Sequence, residues 1–179
     1  MVLWYKNSHE FNYDFQTVSL AYFNRYPNPF ASHVLSTDLI KIKIDSEGNL
    51  HQTKLILKTG RLPKWCKPFL GKVNQTWIIE QTIVNPILKE MKTYTRNLDH
   101  TGIIRIEEYT TFNYSELENV TRSETYVKFS SGFRGFGIKD RIESWSHSKF
   151  DENLKKSRKG LSFVMDRFKH QKTLLWETK

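Results

Sequence analysis

Hydrophobic and polar positions recur along this chain with two periods, and the switch between them divides it. Residues 1 to 12 read as a strand. A short helix follows from about Asp14, whose carboxylate is placed to cap it, to Arg25, and Pro27 and Pro29 end it. From His33 the period falls to two. Ile40, Ile42 and Ile44 alternate with Lys41 and Lys43, which predicts a half-buried antiparallel strand. Ser46, Glu47, Gly48 and Asn49 supply a turn before a strand over about Leu50 to Lys58. Further strands are predicted at about 73–85, 91–98, 103–114 and 120–130, with turns at Asn97–Gly102 and near Glu116. A glycine-aromatic hinge, Gly132-Phe-Arg-Gly-Phe-Gly137, then leads into a long helix reaching to about residue 172. Strands in a run with one long helix after them predict an α+β fold, a curved antiparallel sheet with the C-terminal helix across its concave face and a cavity between them. No repeat or linker divides the chain, so residues 1–172 read as one domain and 173–179 as a tail.

The long helix breaks its own pattern. At about 100° per residue, Ile138, Ile142, Trp145, Lys149, Asn153, Lys156, Gly160, Phe163 and Val164 share one face within roughly 100°. An apolar stripe is thus interrupted by two lysines and an asparagine. An ammonium in a dry core costs several kcal/mol even after relaxation, so something anionic, or water in a cavity, is expected opposite them. The plainer alternative is a helix that overruns the domain edge, with solvated lysines whose stems lie over apolar neighbours. Arg25 is the second unusual charge. Phe15, Val18 and Tyr22 mark the inner face of the first helix, and Arg25 falls at its edge. Its guanidinium could satisfy the helix C-terminus or grip a phosphate with its planar fork.

Composition narrows the partners. Lys and Arg outnumber Asp and Glu by 28 to 19, a formal net charge of +9, which favours an anionic partner such as nucleic acid, an anionic membrane or an acidic ligand. A single cysteine, Cys66, rules out an intramolecular disulfide and a cysteine-built zinc cage. The first residues carry neither a secretory pattern nor an Arg-rich transit pattern, and no apolar run is long enough to span a bilayer. Lys58 to Lys72 holds five basic residues and no acid, interleaved with Leu62, Trp65, Phe69 and Leu70. This is the chemistry of a loop or lid that touches an anionic membrane through Arg61, Leu62, Lys64, Trp65, Lys67, Phe69 and Leu70. It equally suits single-stranded nucleic acid, or a loop whose rings pack on the body. Catalytic patterns are weak: the six histidines lack metal-ligand spacing, and no nucleophile elbow or phosphate-binding glycine loop is present.

At Phe23-Asn-Arg-Tyr-Pro-Asn-Pro-Phe30, His33-Val-Leu, Thr93-Tyr-Thr-Arg-Asn-Leu98 and Lys149-Phe-Asp-Glu-Asn-Leu-Lys-Lys156, the chain resembles the PRELI-like family of mitochondrial lipid-transfer proteins, in particular its fungal phosphatidic acid carriers. The likeness runs over about residues 1 to 170. It implies a seven-stranded antiparallel sheet wrapped against the long helix, one PRELI-like domain over residues 1–172, and no covalent chemistry. It implies a protein of the mitochondrial intermembrane space that carries phosphatidic acid from the outer to the inner membrane for cardiolipin synthesis. By the same resemblance Arg25, His33, Lys58, Lys149, Asn153 and Lys156 bind the lipid phosphate, and Leu62–Gly71 is the lid, with Arg61 at its start. The ligand is the phospholipid itself, with no cofactor. The implied partners are a small helical protein with twin Cys-x9-Cys motifs and, transiently, anionic mitochondrial membranes. Nucleic acid is not expected; a single-stranded nucleic-acid-binding module, or a phosphatidylserine carrier of the same family, are the alternatives.

Overall fold

The structure is a computed structural model that describes residues 1–60, 74–132 and 138–177. Seven antiparallel strands form one open, curved sheet: β1 (Val2–Phe11), β2 (Val34–Ile44), β3 (Leu50–Thr59), β4 (Gln75–Asn85), β5 (Glu90–Asn97), β6 (Arg105–Ser115) and β7 (Val120–Ser130). Strands β2 to β7 follow one another as a meander, and β1 closes the far side against β7, giving the order β1-β7-β6-β5-β4-β3-β2. Helix α1 (Phe15–Phe23), a 3-10 turn (Pro29–Ala31) and helix α2 (Ile138–Glu177) cover the inner face. The lid segment, Arg61 to Gly71 with Leu62, Lys64, Trp65, Lys67, Phe69 and Leu70, lies outside the described residues, as do residues 133–137 of the glycine-aromatic hinge.

Local chemistry sets the turns. Asp14 caps α1, accepting from the Thr17 amide at 2.8 Å and the Thr17 hydroxyl at 2.7 Å. The β2–β3 turn is tied by Asp45, which accepts from the amides of Glu47 and Asn49 and bonds the His51 ring at 2.7 Å, while Gly48 takes the positive φ of 81° that a side chain would strain. Helix α1 stops at Phe23, two residues before the sequence predicts, because Asn24 closes it with its backbone N–H on the Leu20 carbonyl. Helix α2 runs to Glu177, five residues past its predicted end.

The apolar core falls into two clusters spaced along α2. One gathers Phe11, Phe15, Val18, Ala21, Tyr22, Val84, Met91 and Phe112 around Leu161, Val164 and Met165. The other packs Ile104, Val127 and Phe129 around Ile142 and Phe150. Fully buried side chains such as Ile142 and Met165 each contribute about 1.5–3 kcal/mol. Together the clusters hold α2 on the sheet at Ile142–Phe150 and at Leu161–Met165, and the polar positions Lys149, Asn153 and Lys156 face the region between them. Next to the first cluster, Gly160 lets α2 approach the 3-10 turn: a Cβ there would lie 2.9 Å from Nδ2 of Asn28.

The edge strand differs from expectation. Ile40, Ile42 and Ile44 do alternate with lysines, yet all three are exposed rather than half-buried. Ile42 and Ile44 pair with Gln52 and Leu50, whose own partners Thr82 and Val84 are buried, so both isoleucines do point to the inner face. They stand at the sheet margin, where neither helix reaches over them.

Candidate functional site

Between the two apolar clusters the inner face of the sheet turns polar. Thr82, Thr93, Thr110 and Thr125 are direct cross-strand partners from β4 to β7, all buried, and the hydroxyls of Thr110 and Thr125 bond at 3.0 Å. The neighbouring row on the same face is Glu80, Thr95, Glu108 and Val127. Above this band lies a cavity of about 570 Å³, within the usual range for ligand sites, enclosed by the sheet, the segment from Tyr22 to His33 and the middle of α2. Arg25, His33, Lys58, Lys149, Asn153 and Lys156 all line it. One flank is apolar, with Ile78, Ile104, Ile106, Val127, Phe129, Trp145, Phe150 and Leu154.

Arg25 is buried just after α1, and three kinds of contact hold it. Its Nη1 donates to the Tyr22 carbonyl at 2.8 Å, the helix-end contact that was one of its two sequence readings. Its Nη2 donates to the Glu80 carboxylate, and its guanidinium lies over the rings of Tyr22 and Tyr26 at 3.9 and 4.6 Å. Glu80 also accepts from the Tyr22 hydroxyl at 3.0 Å. Burial opposes both charges, but each partner more than offsets it: Glu80 holds Arg25 above its ordinary pKa, and Arg25 holds Glu80 below the usual carboxylate range. Both groups therefore keep their charge, and they form a buried ion pair that lines the cavity.

Lys58 reaches the cavity because it shares the inner face of β3 with Ile56, and Lys54, on the same face and closer to α1, donates instead to the Phe23 carbonyl at 2.8 Å. His33 is fixed at the start of β2, where its carbonyl accepts from the Thr59 amide at 2.8 Å. Burial, then the charges of Lys58, Lys156 and Lys149 against that of Glu152, lowers its pKa, so it is neutral at pH 7. The same interactions place β3, the start of β2 and the middle of α2 around one space. On α2, Lys149 and Lys156 both bind Glu152, at 2.7 and 2.6 Å, and these bonds hold the Glu152 carboxyl down at about 2. Asn153 lies beside them on the cavity side. The interrupted stripe is therefore neither a dry core nor a simple overhang: its polar positions face a cavity, with an acid from the same helix as counter-charge.

Sequence reading missed the acids. Glu80, Glu108 and Glu152 line the cavity along with its basic residues, so the cations are partly compensated rather than mutually repelling. Glu108 presents its carboxyl to the cavity with protein around it; burial pushes its pKa up, and Lys58 and Arg25 only partly counter this. Two signals were available. Glu80 shares a strand face with Ile78 and Val84, an acid at an inward position. Glu152 stands three residues after Lys149 and four before Lys156, the spacing of helical ion pairs.

Among the described residues no three His, Cys, Asp or Glu are grouped to hold a metal ion, and no helix is long and apolar enough to cross a membrane. The chain is 55% identical over 167 residues to the mitochondrial protein UPS1 of Saccharomyces cerevisiae, spanning 93% of this chain and 95% of that one. It is 40% identical over 158 residues to the ups1 homolog of Schizosaccharomyces pombe, spanning 87% and 91%. Among solved structures, TTHA0849 from Thermus thermophilus matches with a TM-score of 0.58 over 91% of this chain and 97% of that one; at 11% identity this is a likeness of fold. Residues 16–171 match the PRELI-like family, and with more than half its length and two full-length relatives in agreement, the chain belongs to that family.

Proposed function

We propose that this protein carries phosphatidic acid from the outer to the inner mitochondrial membrane, where the lipid supplies cardiolipin synthesis. The observation that carries the reading is the convergence of Arg25, His33, Lys58, Lys149, Asn153 and Lys156, from four separate parts of the chain, on one cavity whose other flank is apolar. A phosphomonoester headgroup is compact and bears up to two negative charges, so a small cluster of cations can compensate it, and the acyl chains find the Ile, Phe and Trp wall. The cations converge inside a cavity rather than along an outer groove, which disfavours a single-strand nucleic-acid platform. A serine-bearing headgroup is bulkier than the phosphomonoester, and the phosphatidylserine reading is likewise not favoured.

The action is transport, with no bond made or broken. Gly60 and Asn74, which flank residues 61–73 in the sequence, both line the cavity, and the sequence between them carries the basic and ring-bearing chemistry suited to anionic headgroups. In the proposal that stretch is the lid that docks on the membrane. The chain works in the intermembrane space, consistent with relatives named mitochondrial, together with a small twin Cys-x9-Cys partner.

The test is fluorescence-dequenching transfer of labelled phosphatidic acid between donor and acceptor vesicles, with the small partner supplied and labelled phosphatidylcholine in parallel. Wild type is expected to move phosphatidic acid alone. Lys149→Gln/Lys156→Gln, at two partly solvated positions on α2, is expected to lose transfer by roughly tenfold or more, the effect of about 1.4 kcal/mol, while keeping its fold. Equal transfer of phosphatidylcholine, or no transfer by folded wild type, overturns the proposal.

A further inference from the structure

Among the described residues three glutamates line the cavity, and only one of them is both engaged with proposed phosphate-binding lysines and free to leave. Glu80 is locked: its side chain is 2% exposed and is held by Arg25 and by the Tyr22 hydroxyl. Glu108 feels the charges of Lys58 and Arg25, while Lys149 and Lys156 are both paired with Glu152. Glu152 offers one oxygen to Lys149 at 2.7 Å and the other to Lys156 at 2.6 Å, so a single anionic group bridges two ammonium groups that stand seven residues apart on α2. Its side chain is 41% exposed. Rotation about its own bonds can carry the carboxylate from the cavity rim into water without burying a charge.

We infer that Glu152 is a built-in stand-in for the ligand's phosphate: it holds Lys149 and Lys156 in place and is exchanged for a phosphomonoester that takes over the same two ammonium groups. This inference rests on the reading of the cavity as a phosphate site. Two oxygens of a phosphomonoester can replace the two of the carboxylate, so entry swaps one set of charge-assisted bonds for another rather than creating a set from solvated ions. The displaced carboxylate stays tethered beside the site and competes for the lysines at every moment. Glu152 therefore lowers affinity and shortens residence. For a carrier this matters in the second half of its task, because an anion held by uncompensated lysines leaves slowly. A competing acid of the same chain makes release possible without any change in the sheet.

The experiment compares wild type with Glu152→Gln, which keeps the side chain's size and removes its charge. Two ligands separate free headgroup from lipid: glycerol 3-phosphate in solution, measured by calorimetry, and labelled phosphatidic acid in phosphatidylcholine vesicles, measured for extraction and for delivery to acceptor vesicles, with the small partner supplied. Glu152→Gln is expected to bind glycerol 3-phosphate roughly tenfold more tightly, to extract the lipid faster and to deliver it more slowly. In a Lys149→Gln/Lys156→Gln background the same change is expected to do nothing. An unchanged or weaker affinity and unchanged delivery, with wild type active and the variant folded by circular dichroism, means an ordinary helix ion pair and overturns the inference alone. A gain for glycerol 3-phosphate with no change in lipid delivery overturns the role in release. Wild type that binds neither ligand overturns the phosphate-site reading itself.

Discussion

Arg25 sits buried between two tyrosine rings with its charge matched by Glu80, so replacing it alone strands a carboxylate in the interior. Breaking a buried pair at one partner costs about 3–5 kcal/mol, whereas replacing both partners with apolar groups of similar volume is often nearly neutral. Arg25→Met is thus expected to destabilise the protein by about 3–5 kcal/mol, and Arg25→Met/Glu80→Met to recover most of that loss, as read by urea denaturation. Equal instability of the single and double variants would show that the pair is not what Arg25 contributes to the fold. The double variant also separates structure from binding: loss of phosphatidic acid transfer in a protein that is still stable would assign Arg25 to the ligand. Arg25→Glu, the simplest charge reversal, cannot make that distinction, because it sets two carboxylates together in a buried site.

Helix α2 is held by two apolar clusters with polar positions between them, and its seating over the 3-10 turn depends on Gly160. In an exposed helix, Gly→Ala stabilises by roughly 0.5–1 kcal/mol. Here the added Cβ would meet Asn28 at 2.9 to 3.2 Å, and Asn28 cannot swing aside freely, since its Oδ1 accepts from the Phe30 amide and its Nδ2 donates to the Arg25 carbonyl. Gly160→Ala is therefore expected to destabilise by about 1–3 kcal/mol, the usual cost of overpacking. A rise in melting temperature would refute this close approach. The stripe on which Gly160 falls was legible in the sequence, as were the seven strands to within a few residues, because both follow from periodicity. Periodicity also brought Lys149, Asn153 and Lys156 to one face. What it does not carry is what stands across from a face. Glu80 and Arg25 are 55 residues apart in sequence and meet only through the fold. The alternation at Ile40, Ile42 and Ile44 correctly assigned a face but not its cover, since coverage depends on how far a helix from another part of the chain extends.

At the scale of the molecule, the two ends of the edge strand β2 have different chemistry. One end begins beside His33 at the cavity; the other, about 30 Å away along ten residues of strand, carries Leu39, Ile40, Ile42 and Ile44 at 53, 60, 54 and 72% exposure. An open edge strand with an apolar face is a template for association with other chains. Lys41 and Lys43 provide the usual charged protection, but they register with Thr53 and His51 on the opposite face and leave the isoleucines bare. The distance from the cavity rim sets this end apart from the site and leaves it as an apolar edge open to a covering partner. Expressed without one, the chain is expected to elute from size exclusion as a concentration-dependent mixture of associated species despite a net charge of +9, which by itself favours solubility. Ile42→Lys/Ile44→Lys is expected to shift it to monomer at unchanged melting temperature, because the two side chains pack on little, and to leave transfer per folded molecule intact, because the cavity lies elsewhere. A variant that still associates would move the cause of association away from β2. A monomeric variant without transfer would mean that this edge and the cavity act together.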